Sequence, residues 1–105
     1  MTEITVFDLK RRRDGGEPLV LLDVREPDEI ATAALSGATF IPMAEIPARR
    51  AELPPDTPIV VICHAGSRSA RVTQFLNENG YPNAVNLAGG IDAWSVSIDP
   101  GVPRY

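Results

Sequence analysis

A small α/β domain with a mostly parallel sheet is predicted by three observations. Two unbroken apolar runs, Leu19-Val20-Leu21-Leu22 and Ile59-Val60-Val61-Ile62, read as strands buried on both faces. Segments with helical patterning lie between these runs and weaker ones. The chain is 105 residues long, which fits one small domain and excludes two. Strands alternating with helices in so short a chain form a parallel sheet with helices packed on it, and ligands of such sheets sit at the carboxyl ends of the strands.

Taken in order, Ile4-Thr5 is a candidate edge strand. Thr5 caps a first helix with Asp8 in its first turn, Val6, Leu9 and Phe7 on its inner side, and Gly15-Gly16 at its end. The run 19–22 follows Pro18 and leads into Asp23. Glu26-Pro27-Asp28-Glu29 carries the proline and the acids of a first helical turn. Thr39-Phe40-Ile41 is a short strand before Pro42, and residues 44–51 read as a short helix. The run 59–62 follows Pro58 and leads into Cys63. The clearest helix spans residues 67–79, with Val72, Phe75 and Leu76 at i, i+3 and i+4 as its buried stripe and Gly80 as its C-terminal cap. Ala84-Val85-Asn86-Leu87 is a further strand. Tyr81 and Trp94 read as packing residues. The stretch 95–105, with Pro100 and Pro103, reads as an irregular tail to a single domain whose core covers residues 4–94.

Composition narrows the function classes. Apolar residues make up 44% and charged residues 23%, enough apolar content for a core and too much for a disordered chain. The net charge of −4 argues against nucleic acid as a partner. Arg11-Arg12-Arg13 is a short basic run, but Asp14 and Glu17 follow it, and a solvated helix face is the expected reading. No apolar run approaches the roughly 20 residues that cross a bilayer, and no signal peptide opens the chain, so neither a membrane association nor export is expected and the location reads as cytoplasmic. The chain holds one cysteine and one histidine, adjacent as Cys63-His64. A lone cysteine excludes an internal disulfide, a structural zinc site and a two-cysteine redox pair. No motif calls for a cofactor or a metal.

The chemistry concentrates in Cys63-His64-Ala65-Gly66-Ser67-Arg68-Ser69. Cys63 ends a buried strand, and a helix begins a few residues later. Such a loop can curl its N–H groups around the sulfur, with Gly66 permitting the turn. The helix terminus adds partial positive charge and Arg68 a full one, so the cradle favours a thiolate, a persulfide or a bound oxyanion. The helix end gives only about 0.3–1 kcal/mol, up to about 2 when partly buried. Several N–H donors or the arginine must therefore add to it. Cysteine-based phosphatases place an arginine after five intervening residues, a position held here by Ser69. With the arginine one residue earlier, the bowl is smaller and suits a single sulfur atom better than a tetrahedral phosphate.

The chain resembles the rhodanese-like, or sulfurtransferase, family in several ordered blocks. They are Leu22-Asp23-Val24-Arg25-Glu26-Pro27, then Ser36-Gly37-Ala38 followed by Ile41-Pro42, the loop 63–69, Asn79-Gly80-Tyr81, and Leu87-Ala88-Gly89-Gly90-Ile91 through Trp94. Where the family commonly reads Gly-His-Ile-Pro-Gly-Ala, this chain has Ala33-Ala34-Leu35-Ser36-Gly37-Ala38, so Ala34 replaces a histidine. The resemblance implies a three-layer fold with a five-stranded parallel sheet flanked by helices. It also implies transfer of a sulfane sulfur through a cysteine persulfide.

On this reading Cys63 is the catalytic residue, and His64, Ala65, Gly66, Ser67, Arg68 and Ser69 form the loop that holds the persulfide or substrate. Arg68 is expected to hold the sulfonate end of thiosulfate, while His64 is expected to face solvent. Arg71 is expected at the surface or in an ion pair. Asp23 and Arg25 are supporting residues, Asp23 bonding loop amides and Arg25 ion-paired with Glu26 or Glu29. The expected activity moves sulfur from a small donor anion such as thiosulfate to a thiol or cyanide acceptor. The alternative is a persulfide carrier or sensing module with little activity on thiosulfate.

Overall fold

The computed structural model describes all residues, Met1–Tyr105. The strands are β1 (Glu3–Ile4), β2 (Val20–Asp23), β3 (Thr39–Phe40), β4 (Ile59–Ile62) and β5 (Ala84–Leu87). The helices are α1 (Val6–Asp14), α2 (Pro27–Thr32), α3 (Ile46–Arg49, continued on both sides by 3-10 turns), α4 (Ser67–Glu78) and α5 (Gly90–Ser97). The sheet has the order β1-β5-β4-β2-β3 and every neighbouring pair is parallel. All carboxyl ends therefore lie along one edge, with β4 in the middle.

The apolar run of β4 is unbroken because both faces are covered. Ile59, Val61 and Cys63 join one buried cluster with Val72 and Leu76 of α4 and Ile46 of α3. Val60 and Ile62 join the other, with Val6 and Leu9 of α1 and Ile91 and Trp94 of α5. The two-residue period of a strand sorts them, and it places the Cys63 side chain on the α4 face.

Thr5 caps helix α1 as expected, and the structure adds a reciprocal bond from the Thr5 N–H to the Asp8 side chain that completes a capping box. Its inner side is narrower than expected: Val6 and Leu9 are buried, while Phe7 is exposed. The short helix expected at residues 44–51 is a 3-10 turn at Met43–Glu45, one helical turn with Pro47 in its first positions, and a second 3-10 turn at Arg50–Glu52. The C-terminal stretch differs most. Helix α5 continues to Ser97, and Ser95 is buried with its hydroxyl on the Ile91 carbonyl. The segment beyond it folds back, with Ile98 and Val102 packed against the α1–α5 cluster. The basic run is not wholly a solvated face. Arg13 donates to the Ser36 carbonyl at 2.9 Å and lies 5.6 Å over the Trp94 ring.

Candidate active site

Cys63 follows β4 directly, and four residues later α4 begins. The connection is tight because Gly66 takes φ +109° as the residue preceding the helix, a conformation that a side chain strongly disfavours. The turn aims the Gly66 N–H at the Cys63 Sγ, 3.1 Å away. The Ser69 hydroxyl, buried in the first turn of α4, lies 3.2 Å from the same sulfur. Cys63 itself is 1% exposed. The expected ring of loop amides is thus one amide and one hydroxyl in this state, with Ala65 and Ser67 facing solvent.

The loop is pinned from behind by α5. Ile91 N–H donates to the Cys63 carbonyl at 2.9 Å and Asp92 N–H to the His64 carbonyl at 3.0 Å. This requires the α5 backbone to come very close. Gly90, at φ +60°, has no room for a Cβ, which would stand 2.5 Å from both carbonyl oxygens. The Gly89-Gly90 pair was part of the sequence resemblance, but its role as the seat of the loop comes only from the fold.

Asp23 and Arg25 do come to this end of the sheet, and they pair with each other. Their side chains are fully buried with 2.7 Å between Arg25 Nη2 and Asp23 Oδ2. Arg25 Nη2 also donates to the Ala33 carbonyl at 2.7 Å, and Asp23 Oδ1 accepts the Arg25 N–H at 3.1 Å. The expected partner of Arg25, a Glu26 or Glu29 carboxylate, is therefore corrected to Asp23. A buried guanidinium needs a carboxylate fixed nearby, and the end of β2 supplies one two residues away, while Glu29 is taken by Arg68 and Glu26 is exposed.

Arg68 also departs from expectation. Its guanidinium forms a two-pronged pair with Glu29 of α2, Nη1 to Oε2 and Nη2 to Oε1, both at 2.7 Å. The charge expected to face the sulfur is matched by a carboxylate. Arg68, followed by burial and the Glu26 N–H, bears on the Glu29 carboxyl, with the net result that its pKa is lowered to about 2. His64 is half-buried and does not simply face solvent. Its Nδ1 is buried with no hydrogen-bond partner within the protein, and its ring packs 4.2 Å from the Tyr105 ring. Arg71 is exposed, as expected. Tyr105 is a site-facing residue that sequence reasoning missed, and Glu29 was expected only as a partner of Arg25, not of Arg68. The Glu29 signal was its place in the acidic first turn of α2; Tyr105 carried none. Ala34, where the family has histidine, is exposed.

Fold and site together define a class: parallel α/β proteins with a cysteine at the carboxyl end of the central strand, set in a short loop that turns into a helix. The Rhodanese-like domain model matches residues 5–97, and the chain belongs to that family. A sulfurtransferase from Allochromatium vinosum is 38% identical over 95 residues, covering 90% of this chain and 89% of that one. An adenylyltransferase and sulfurtransferase from Zea mays is 37% identical over 109 residues, but the match spans only 23% of that longer protein. The crystal structure of a rhodanese-like domain protein from Staphylococcus aureus shares 33% identity and a TM-score of 0.87, covering 100% of this chain and 99% of that one.

Proposed function

We propose that this protein is a sulfurtransferase in which Cys63 carries the sulfur. The observation that supports it best is the Sγ held between the Gly66 N–H and the Ser69 hydroxyl at the strand end. Once Cys63 is a thiolate, both the N–H and the hydroxyl donate to its negative charge, and neither leaves room for a bulky oxyanion between it and the sulfur.

In the first half-reaction the Cys63 thiolate attacks the outer sulfur of a donor such as thiosulfate. The new S–S bond forms on Cys63, the donor S–S bond breaks, and sulfite leaves with its electron pair. The persulfide keeps one negative charge on its outer sulfur, while Gly66 N–H and the Ser69 hydroxyl hold the Sγ that bears it. In the second half-reaction a thiolate or cyanide attacks the outer persulfide sulfur and returns the Cys63 thiolate. Two half-reactions through a covalent intermediate give ping-pong kinetics. Asp23 and Arg25 act as positioning residues, fixing the β2 end beside the loop.

The test is mass spectrometry of Cys63 after exposure to thiosulfate. A gain of one sulfur atom on that residue is expected, lost in Cys63→Ser, which should keep its fold and lose turnover. Sulfite release by Cys63→Ser would overturn the mechanism. A second reading, a persulfide relay that takes sulfur from a partner, has one observation in its favour: Arg68 is already paired. No gain from thiosulfate but a gain from a persulfide donor would select it.

A further inference from the structure

Two arginines reach the end of the sheet where Cys63 lies, and an acid matches each of them. Arg25 is buried against Asp23. Arg68 is closed by Glu29, in a pair whose side chains are 31% and 18% exposed. The formal charges of the four groups cancel. Such a mouth offers an arriving dianion no net attraction, although the donor chemistry brings anions to it.

The carboxylate that neutralises Arg68 is held from several directions. Glu29 Oε2 accepts the Glu26 N–H at 3.0 Å, within the first turn of α2. Glu29 Oε1 accepts the Tyr105 hydroxyl at 3.0 Å. The same hydroxyl accepts from Arg25 Nη1 at 3.0 Å, and the Tyr105 ring lies against His64. Next to Tyr105, Arg104 is tied to Asp92 of α5 at 2.8 Å. The carboxylate is thus fixed by its own helix, by α4 and by the returning tail. Arg68 itself sits in the first turn of α4 beside Ser69, whose hydroxyl lies 3.2 Å from the sulfur, so the pair borders the Cys63 loop.

We infer that Glu29, positioned by Tyr105, determines which sulfur donor the site prefers. By keeping Arg68 paired it holds the mouth neutral and disfavours dianionic donors relative to monoanionic ones. This selectivity presupposes the sulfur-transfer reading above. A free Arg68 would attract a dianion about twice as strongly as a monoanion at the same distance, and the Glu29 charge removes most of that difference.

The test compares thiosulfate with methanethiosulfonate, a monoanion of similar shape. Both donate their outer sulfur to the Cys63 thiolate, the first releasing sulfite and the second methanesulfinate, each with the electron pair of the broken S–S bond. The readout is the ratio of kcat/KM for thiosulfate to that for methanethiosulfonate, with the Cys63 adduct followed by mass. Glu29→Gln should raise the ratio about fivefold at low salt, the size expected for one unit charge across a partly solvated gap, and the rise should shrink as salt is added. Tyr105→Phe, which keeps the ring and removes only the hydroxyl, should raise the ratio by a smaller factor. A merely structural role would lower both rates together and leave the ratio unmoved. If Cys63 of the unaltered protein takes sulfur from both donors and Glu29→Gln leaves the ratio unchanged or lowers it, the assignment to Glu29 is overturned while sulfur transfer stands. If Glu29→Gln does not fold, an unchanged ratio in Tyr105→Phe overturns it equally. If Cys63 takes sulfur from neither donor, the sulfur-transfer reading fails, and this inference with it.

Discussion

Gly90 is the position where a single methyl group tests how the site is built. Its φ of +60° and the 2.5 Å approach of its missing Cβ to the carbonyl oxygens of Cys63 and His64 make two separable demands. The left-handed backbone costs an alanine about 1–2 kcal/mol. The clash cannot be relieved by rotating a side chain, because both obstacles are backbone. The loop or the start of α5 must move, which breaks or stretches the bonds from Ile91 N–H and Asp92 N–H to those carbonyls. Each such bond contributes about 1 kcal/mol. Gly90→Ala should therefore destabilise the protein by about 3–4 kcal/mol.

Gly37 supplies the control. It also has a positive φ, +79°, but a Cβ there would meet nothing within 4 Å. Gly37→Ala carries the backbone cost alone, about 1–2 kcal/mol. At about 4 °C of melting temperature per kcal/mol for a domain of this size, Gly90→Ala should melt about 8 °C below Gly37→Ala by circular dichroism. The activity contrast should be larger. A displacement of about 1 Å in a reacting group can cost roughly a hundredfold in rate, so persulfide formation on Cys63 should fall at least tenfold in folded Gly90→Ala and stay unchanged in Gly37→Ala. Equal melting temperatures for the two variants, or an undiminished sulfur-transfer rate in Gly90→Ala, would refute the account of α5 as the seat of the loop.

Two further expectations follow from the same geometry. Ser69→Ala removes one of the two groups bonded to Sγ; persulfide formation should slow by about tenfold to a hundredfold, the worth of one hydrogen bond to a charged sulfur, with the melting temperature nearly kept, as stopped-flow and thermal scans would show. The Glu29 carboxyl, lowered from 4.5 to about 2 chiefly by Arg68, gives a signed pH effect: the unfolded chain binds more protons in that window, so the contribution is complete above about pH 4.5 and disappears as pH falls toward 2. Urea unfolding from pH 6 to pH 2 should show the stability gap between the unaltered protein and Glu29→Gln closing across that interval, and a gap that widened on acidification would contradict the pairing.

What could be read from the sequence was local or periodic. Strands β2 and β4 stood out because burial on both faces requires an unbroken apolar run, and the cysteine loop stood out because it is contiguous. Contacts that the chain makes across long separations left no such mark. Arg68 and Glu29 are 39 residues apart, Tyr105 and Glu29 76 apart. With 10 basic and 14 acidic residues present, nothing in the sequence selects that partner over another. Arg25 illustrates the same limit at short range. Glu26, Glu29 and Asp23 were all near enough in sequence, and burial of the guanidinium at the end of β2 decided for Asp23. The last three residues of α5, Ser95-Val96-Ser97, have poor helical patterning. Their helix is carried by Ile91 and Trp94, which dock on the sheet and draw the following turn with them.

The lone cysteine sets the remaining constraint on the mechanism. Within these 105 residues there is no second thiol to take sulfur from Cys63 or to rescue it after oxidation. A persulfide formed there under the proposed mechanism would wait for an outside acceptor, and a sulfenic acid could not close to a disulfide within this chain. Burial to 1% exposure answers both needs by keeping casual oxidants and water away. Burial also restricts the route of entry. Cys63 belongs on its inner side to the buried cluster that includes Val24, Ile41 and Val72, and the base of its loop is held by α5. What is left is the outer side of the loop, where Ala65 and Ser67 are exposed and the Arg68–Glu29 pair is partly so. Under the proposed ping-pong mechanism, donor and acceptor would use the same opening in turn, past the Arg68–Glu29 pair.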